Sequence, residues 1–190
     1  AGGSDSVVID TVNPTASVAI DDASLSDTDN SATVTITFSE VPTGFDPATD
    51  LAVVGGSLGA GTFDGSGLIW TATYTANDNF DGTGSVTLAN NLYTDAALNL
   101  GAGSADSVDI DTLNPTATVA IDDASLSDTD NTATVSITFS EAPTGFDPIA
   151  DLAVVGGALG AGSFDVTGLI WTATYTANDN FDGTGSVTLA

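Results

Sequence analysis

The sequence of 190 residues has no Lys, no Arg and no His, so its 26 Asp and Glu side chains have no cationic side chain to pair with. Side-chain salt bridges are thereby excluded. Each carboxylate must be hydrated, accept hydrogen bonds or bind a cation from solution, because unpaired like charges destabilise a compact chain. Nucleic acids and anionic membranes are bound through Lys and Arg, so neither is expected as a partner.

Cysteine is also absent, which excludes disulfides, thiol nucleophiles and thiolate metal sites. Without His or Cys the usual nucleophile and base systems are impossible, and we expect no enzyme. Glu40 near Asp46 or Asp50 offers a carboxylate pair of the kind that glycosidases use. Nothing distinguishes an acid from a base in that pair, however, and the loop recurs in tandem. No apolar run approaches the roughly 20 residues of a membrane span.

The sequence does contain a long internal repeat. Residues 13–89 recur at 114–190 without a gap, an offset of 101 residues, and 10 of the 77 positions differ. The segment 1–12 also matches 102–113 closely. We therefore interpret 1–12 as the last strand and linker of a preceding repeat, 13–112 as one repeat, and 113–190 as a second repeat without its final strand.

The pattern of one repeat predicts about seven short strands and no amphipathic helix of ten or more residues. Apolar residues alternate with Thr, and Gly, Asp, Asn and Pro punctuate the intervals. Such a pattern is typical of an immunoglobulin-like sandwich, so the predicted fold class is all-β, with tandem immunoglobulin-like β-sandwich domains. Trp70, in mid-strand, is expected to fill the core. The predicted strands are 15–20, 32–38, 50–54, 58–63, 68–75, 84–89 and 106–111.

Several motifs of the repeat are similar to those of a known family. The segments "VTITFSE", "TGF", "WTATYT" and "YTDAALN", and the "IDTxNPT" junctions at Asp10 and Asp111, resemble the bacterial immunoglobulin-like repeats of giant extracellular RTX-type surface adhesins. The resemblance covers essentially the whole chain, although Leu98 stands where the family usually has Gly. It implies a secreted, extracellular location at the bacterial surface, a tandem array, and Ca²⁺ at the junctions between domains.

The aspartates cluster where the predicted topology brings loops together. In an immunoglobulin-like sandwich the A–B loop (21–30), the E–F loop (76–83) and the end of strand G (109–111) lie at one pole. Carboxylate oxygens favour hard cations, above all Ca²⁺, so the predicted cofactor is calcium. Any single Asp could equally form a turn with its own backbone. The candidate metal ligands are Asp10, Asp21, Asp22, Asp27, Asp29, Asp78, Asp81, Asp109, Asp111, Asp122, Asp123, Asp128, Asp130, Asp179 and Asp182.

Three functions stay open from the sequence. Near-identical repeats favour calcium-rigidified extender repeats of a large extracellular adhesin or fibre. The partners would be neighbouring repeats, with glycans or a host or biofilm surface bound through other regions. A second hypothesis is a self-assembling filament, in which the strand at 5–10 completes a domain of another chain that lacks strand G. A third is a carbohydrate-binding repeat with Tyr93 as the sugar platform.

Overall fold

The structure is a computed structural model that describes residues 2–189, and it consists almost entirely of strands. It divides into two units, the first ending at Leu113 and the second beginning at Asn114. The predicted all-β class is confirmed. Ala1 and Ala190, the outermost residues of the predicted domains, lie outside the described residues. No helix among the described residues is long and apolar enough to cross a membrane.

Unit 1 is a sandwich of two sheets. Its elements are β1 (Ala16–Ile20), β2 (Ser24–Ser26), β3 (Ser31–Phe38), α1 (Pro47–Asp50), β4 (Leu51–Val54), β5 (Gly56–Leu58), β6 (Thr62–Phe63), β7 (Ile69–Ala76), β8 (Asp81–Leu88) and β9 (Ser104–Asp111). One sheet has the order β1-β3-β7-β5, and β6 also pairs with β7. The other has the order β2-β9-β8-β4, in which β2 and β9 run parallel.

Unit 2 repeats most of this arrangement. Its strands are β10 (Ala117–Ile121), β11 (Thr132–Phe139), β12 (Leu152–Val155), β13 (Gly157–Leu159), β14 (Ser163–Phe164), β15 (Ile170–Ala177) and β16 (Ser186–Leu189). The first sheet has the order β10-β11-β15-β13, and β14 pairs with β15. The second sheet consists of β12 and β16 only among the described residues.

Period-two alternation buries one face of each long strand. In β3, Val34 and Ile36 are fully buried, and in β7 Trp70 and Tyr74 face the same core. Burying an apolar side chain of this size contributes about 1.5–3 kcal/mol. The opposite faces are mostly Thr, which favours strands and tolerates water. Trp70 has 2% of its surface exposed, so its predicted place in the core is confirmed.

The second sheet of unit 1 reaches further than predicted. β8 begins at Asp81 rather than 84, and it pairs with β9 over eight residues. The sequence pattern predicts Gly84 as the first residue of the strand, but here three strand residues precede it. A Cβ at Gly84 would lie 2.5 Å from the Ile110 Cδ1 atom, so glycine allows Ile110 to pack against the strand.

The predicted strand at 5–10 is absent from this structure. Residues 2–12 form no strand, and Val8 is 96% exposed. A strand needs a hydrogen-bonded neighbour, and in unit 1 the place of the last strand is taken by β9. The interpretation of 1–12 as the end of a preceding repeat stays a prediction.

The sequence pattern missed β2, which is too short and polar to register as a strand. The segment 23–30 is identical to 124–131, yet the second copy forms no strand. In unit 1, Leu25 lies opposite Ile110 of β9 and is 2% exposed, whereas Leu126 is only half-buried. Because the sequence is the same, β2 depends on β9 as its pairing partner.

Candidate metal centre

Three carboxylates converge at one end of unit 1. Oxygens of Asp10, Glu40 and Asp95 all lie within 4.8 Å of one another, and no other group of three acids does so among residues 2–189. Asp10 lies in the segment before β1, Glu40 follows β3, and Asp95 lies in the loop between β8 and β9. Three separate parts of the chain therefore meet at one cluster, here called the linker cluster.

Asp95 is the buried member of the linker cluster, with 1% of its surface exposed. Its two carboxylate oxygens accept hydrogen bonds from the Asn99 backbone N–H at 2.9 Å and the Asn99 side-chain Nδ2 at 2.8 Å. Burial raises the pKa of Asp95, but the Asn99 side chain and the backbone N–H groups of Asn99, Ala97 and Leu98 lower it, so that the net pKa falls below its ordinary value. The carboxylate is therefore held charged and oriented.

Backbone hydrogen bonds hold together the loops that carry Glu40 and Asp95. Thr43 and Thr94 exchange N–H···O bonds of 2.7 and 3.0 Å, which join the loop after Glu40 to the loop before Asp95. The Asn99 side chain also donates to the Asp10 carbonyl at 3.3 Å. These bonds position the cluster without any cationic side chain.

The donor set of the linker cluster fits a hard divalent cation. It offers carboxylate oxygens only, and the chain has no Lys, Arg or His to balance three adjacent charges. Ca²⁺ takes about six to eight oxygen ligands, including carboxylates, carbonyls and water, in flexible geometry. Asp10, Glu40 and Asp95 would supply the protein part of such a coordination shell.

The opposite end of unit 1 carries a second acidic group, here called the strand-G group. Asp81 of β8 lies directly opposite Asp111 of β9. Asp109 precedes Asp111 by two residues in β9 and therefore lies on the same face of the strand. The β2 register adds Ser24 beside Asp109 and Ser26 beside Asp111. Like charges facing each other across strands are destabilising, so these carboxylates must be hydrated or neutralised by a cation.

Family comparison assigns the repeat. The family model described as bacterial Ig-like domain matches residues 10–112 and again 111–190. The chain belongs to the bacterial Ig-like domain family. No curated protein matches it.

Three solved structures resemble this bacterial Ig-like chain. An invasin, described as a bacterial integrin-binding protein, is 17% identical with a TM-score of 0.42; the match covers 92% of this chain and 36% of that one. The Yersinia pseudotuberculosis adhesin InvE is 18% identical with a TM-score of 0.35, and the match covers 88% of this chain and 52% of that one. Yersinia pseudotuberculosis InvD is 18% identical with a TM-score of 0.34, and the match covers 89% of this chain and 50% of that one. The chain thus spans about a third to a half of the length of each of these structures.

Other predicted ligands of the Ig-like repeat are engaged in local hydrogen bonds. The Asp21 carboxylate accepts from the Thr33 N–H at 2.6 Å, and Asp122 accepts from Thr134 at 2.7 Å. Asp123 accepts from the Ser125 N–H at 3.1 Å, as Asp22 does more weakly from Ser24. These four lie outside both acidic groups. The remaining candidates are exposed side chains of turns and loops: Asp27, Asp29, Asp78, Asp128, Asp130, Asp179 and Asp182.

Glu40 and Asp95 are the two members of the linker cluster that were not among the predicted ligands. The sequence pattern offers Glu40 only as half of a catalytic pair with Asp46 or Asp50. In the structure Glu40 lies with Asp10 and Asp95 instead. Asp46 caps α1 by accepting from the Ala48 N–H, and Asp50 accepts from the Asp46 N–H. The usable signal for Asp95 was the spacing of Asp and Asn within "YTDAALN".

Tyr93 is not a sugar platform. It is 1% exposed, and its hydroxyl donates to the Ala102 carbonyl at 2.9 Å and lies 3.3 Å from the Pro14 carbonyl. Its ring packs edge-on against Phe38 with centroids 5.0 Å apart. A buried ring cannot stack on a sugar, so the carbohydrate-binding hypothesis loses the residue on which it rested.

The backbone of Leu98 is strained, and Leu98 lies in the loop that holds Asp95. Its φ of +68° is left-handed, and its side chain is 74% exposed. Changing Leu98 to Gly should stabilise unit 1 by about 1 kcal/mol, because a side chain in this region costs roughly 1–2 kcal/mol. Urea unfolding read by Trp70 fluorescence, with Trp171 replaced by Phe, measures the effect. Leu92→Gly, at a residue without positive φ, should instead destabilise; equal effects of both changes would contradict the strain.

Acid should weaken the β6–β7 turn in a predictable window. The Ser66 hydroxyl, at 2.7 and 2.9 Å, lowers the pKa of Asp64, burial raises it, and backbone bonds from Ile69, Leu68 and Ser66 lower it. Because the pKa of Asp64 is lowered by folding, its carboxylate stabilises unit 1 at pH values above the unfolded pKa near 3.8. This stabilisation is lost as the pH falls through the folded pKa. Ser66→Ala should therefore reduce the acid dependence of unit 1 unfolding in urea titrations from pH 5 to pH 2. An unchanged pH profile would contradict this account.

Proposed function

We propose that this chain is a stretch of extender repeats from a large extracellular adhesin or fibre, stiffened by calcium where one domain follows another. The observation that carries the proposal is the linker cluster, because one of its three carboxylates comes from the segment that leads into the domain. A cation bound there would tie the incoming chain to the body of the repeat. Near-identity of the repeats supports a spacing role, since recognition sites seldom need exact copies.

The entry point of unit 1 is also fixed by its own packing. Pro14 is almost fully buried, and proline restricts φ. Its carbonyl accepts from the Ala102 N–H at 2.9 Å, and Thr15 forms a parallel bridge with Ala102. Few residues between Asp10 and β1 are therefore free to bend, and a metal at Asp10 would restrict those that are.

The strand-G group is a second proposed calcium position. Asp81, Asp109 and Asp111 would bind a cation that neutralises the facing charges of β8 and β9. Extracellular modules bind calcium with Kd values of about 10⁻⁴–10⁻³ M, which suits exposed carboxylates such as these. Binding this weak needs calcium near millimolar concentration, so an extracellular location is part of the proposal.

The extender role has a direct test in chains of two, four and six repeats joined head to tail. In millimolar calcium the maximum dimension from small-angle scattering should grow in proportion to the number of repeats. In EDTA it should grow more slowly, approaching the square-root dependence of a flexible chain. Square-root growth in calcium as well would contradict a spacer.

A further inference from the structure

The segment that leads into unit 1 and the strand that leads out of it run side by side in the same direction. Residues 14–26, here called the entry segment, contain β1 and β2, and residues 102–111, here called the exit segment, contain β9. Thr15 forms a parallel bridge with Ala102, and β2 pairs in parallel with the end of β9. The contacts therefore advance together along both segments.

Backbone hydrogen bonds join the two segments near both ends. The Ala102 N–H donates to the Pro14 carbonyl at 2.9 Å, close to the start of each segment. The Asp109 N–H donates to the Ala23 carbonyl at 3.2 Å, where β2 begins to pair with β9. The main chain alone thus fixes the two ends of this contact.

Side chains of β9 continue the connection between these two points. The Ser104 hydroxyl accepts from the Val18 N–H at 3.2 Å, and the Asp106 carboxylate accepts from the Ile20 N–H at 2.8 Å. Because β1 belongs to the first sheet and β9 to the second, these bonds tie the two sheets together. The Asp106 bond is the stronger of the two, since its acceptor is a carboxylate.

Both segments are anchored in the body of unit 1. β1 pairs with β3 over five residues, and β9 pairs with β8 over eight. Leu25 of the entry segment lies opposite Ile110 of the exit segment, and each is 2% exposed. A hydrogen bond sheltered from water is stronger than one in water, so this apolar pair strengthens the pairing beside it.

Tension along the chain loads these contacts in shear. A force on the chain before Pro14 and after Asp111 acts at opposite ends of two parallel segments and draws them past each other. The hydrogen bonds then carry the load together, whereas strands pulled apart from a shared end lose their bonds one after another. Forced unfolding depends on the unfolding rate rather than on equilibrium stability, so the direction of the load matters.

We propose that the entry and exit segments form a mechanical clamp, which lets this repeat carry tension along the chain without unfolding. The inference rests on the proposed extender role, because a shaft that connects two bodies is under tension whenever they are pulled apart. The clamp consists of hydrogen bonds within the chain, so it works without the cation proposed for the linker cluster.

Pulling single molecules of the 190-residue chain in two directions tests the clamp. The chain has no Cys, so introduced pairs of Cys define where the force acts. Asn13→Cys with Leu113→Cys loads the segments in shear, and Thr28→Cys with Leu113→Cys peels β9 from the end that it shares with β2. All three positions are exposed, so unit 1 stays folded without load.

Unit 1 should resist the shearing load much longer than the peeling load. At one constant force in EDTA, its lifetime should be at least about tenfold longer with the first pair of attachment points, because several hydrogen bonds must break together. EDTA removes any bound calcium, so the cation carries none of this load. Equal lifetimes in the two directions would overturn the clamp.

Asp106→Ala and Asp106→Asn are the matched variants for the side-chain part of the clamp. Asp106→Ala removes the acceptor of the Ile20 N–H and should shorten the lifetime in shear about tenfold, while leaving the lifetime in peeling nearly unchanged. Asp106→Asn keeps an acceptor oxygen and should shorten the lifetime in shear less. If Asp106→Ala shortened both lifetimes equally, the bond would stabilise unit 1 generally, and the clamp would be contradicted.

Failure of the clamp is distinguishable from failure of the extender role. Equal lifetimes in shear and in peeling would leave the growth of length with repeat number unaffected, since scattering measures length and not strength. Square-root growth in calcium would reject the extender role, and a longer lifetime in shear would still establish the clamp in unit 1.

Discussion

Changing Glu40 to Gln should remove the part of the calcium stabilisation of unit 1 that the linker cluster provides. A ligand that binds only the folded state adds about 2.7 kcal/mol when its free concentration is 100 times Kd. Glu40 supplies one of three carboxylates in the linker cluster, and the amide that replaces it carries no charge. Trp70 fluorescence during urea unfolding, with and without calcium and with Trp171 replaced by Phe, reports unit 1 alone.

Glu141→Gln is the matched control for this experiment. Glu141 lies 101 residues after Glu40, and the counterpart of Asp95 would fall beyond residue 190. The calcium response of Trp70 should therefore be unchanged in this variant. If Glu40→Gln and wild type respond alike to calcium, the linker cluster is not the binding site, and Asp81→Asn with Asp111→Asn becomes the informative pair.

Unit 1 should unfold at a clearly higher urea concentration than unit 2. The two share nearly the same sequence, but unit 1 contains β9, which buries Val108 and Ile110 and allows β2 to pair. At about 1.5–3 kcal/mol for each buried side chain, the difference amounts to about 3–6 kcal/mol. Each unit has one Trp, so Trp171→Phe and Trp70→Phe variants separate the two transitions.

A strand-specific control accompanies the comparison of the units. Ile110→Ala should lower the unit 1 transition toward that of unit 2 by about 2–5 kcal/mol, while leaving the unit 2 transition in place. Coincident transitions for Trp70 and Trp171 in the wild-type chain would contradict the claim that β9 supplies the extra stability.

Much of the fold could be predicted from the sequence, because it depends on patterns of residues close together in the chain. Alternation of apolar residues with Thr placed β3 and β7 and predicted the burial of Trp70, and the 101-residue offset revealed the repeat. The same local logic failed for β2, whose three residues become a strand only through β9, far away in the chain. Residues 5–10 have a similar pattern but pair with no strand among the described residues, so their place as the last strand of a preceding repeat stays a prediction.

The candidate site could be predicted only in part, because some of its acids are far apart in the chain. The many Asp residues of the loops near β9 predicted an acidic group there, and the structure places Asp81, Asp109 and Asp111 at neighbouring positions of β8 and β9, although their carboxylates do not converge as those of the linker cluster do. The linker cluster instead joins single acids from three distant segments. Its buried member, Asp95, is oriented by Asn99 in a loop whose left-handed Leu98 no propensity would predict. Such a cluster becomes visible only when the loops are folded against each other.

Hydrogen exchange in calcium and in EDTA tests the central claim most directly. Pepsin fragments are needed, because the chain has no Lys or Arg for trypsin to cut. Calcium that ties the linker to unit 1 should slow exchange by at least about tenfold, or roughly 1.4 kcal/mol, in fragments containing residues 10–14 and 95–99. Fragments from the exposed turn at 64–66, which exchange by local opening, should not change. Identical exchange of the linker in calcium and EDTA would contradict a calcium-stiffened extender.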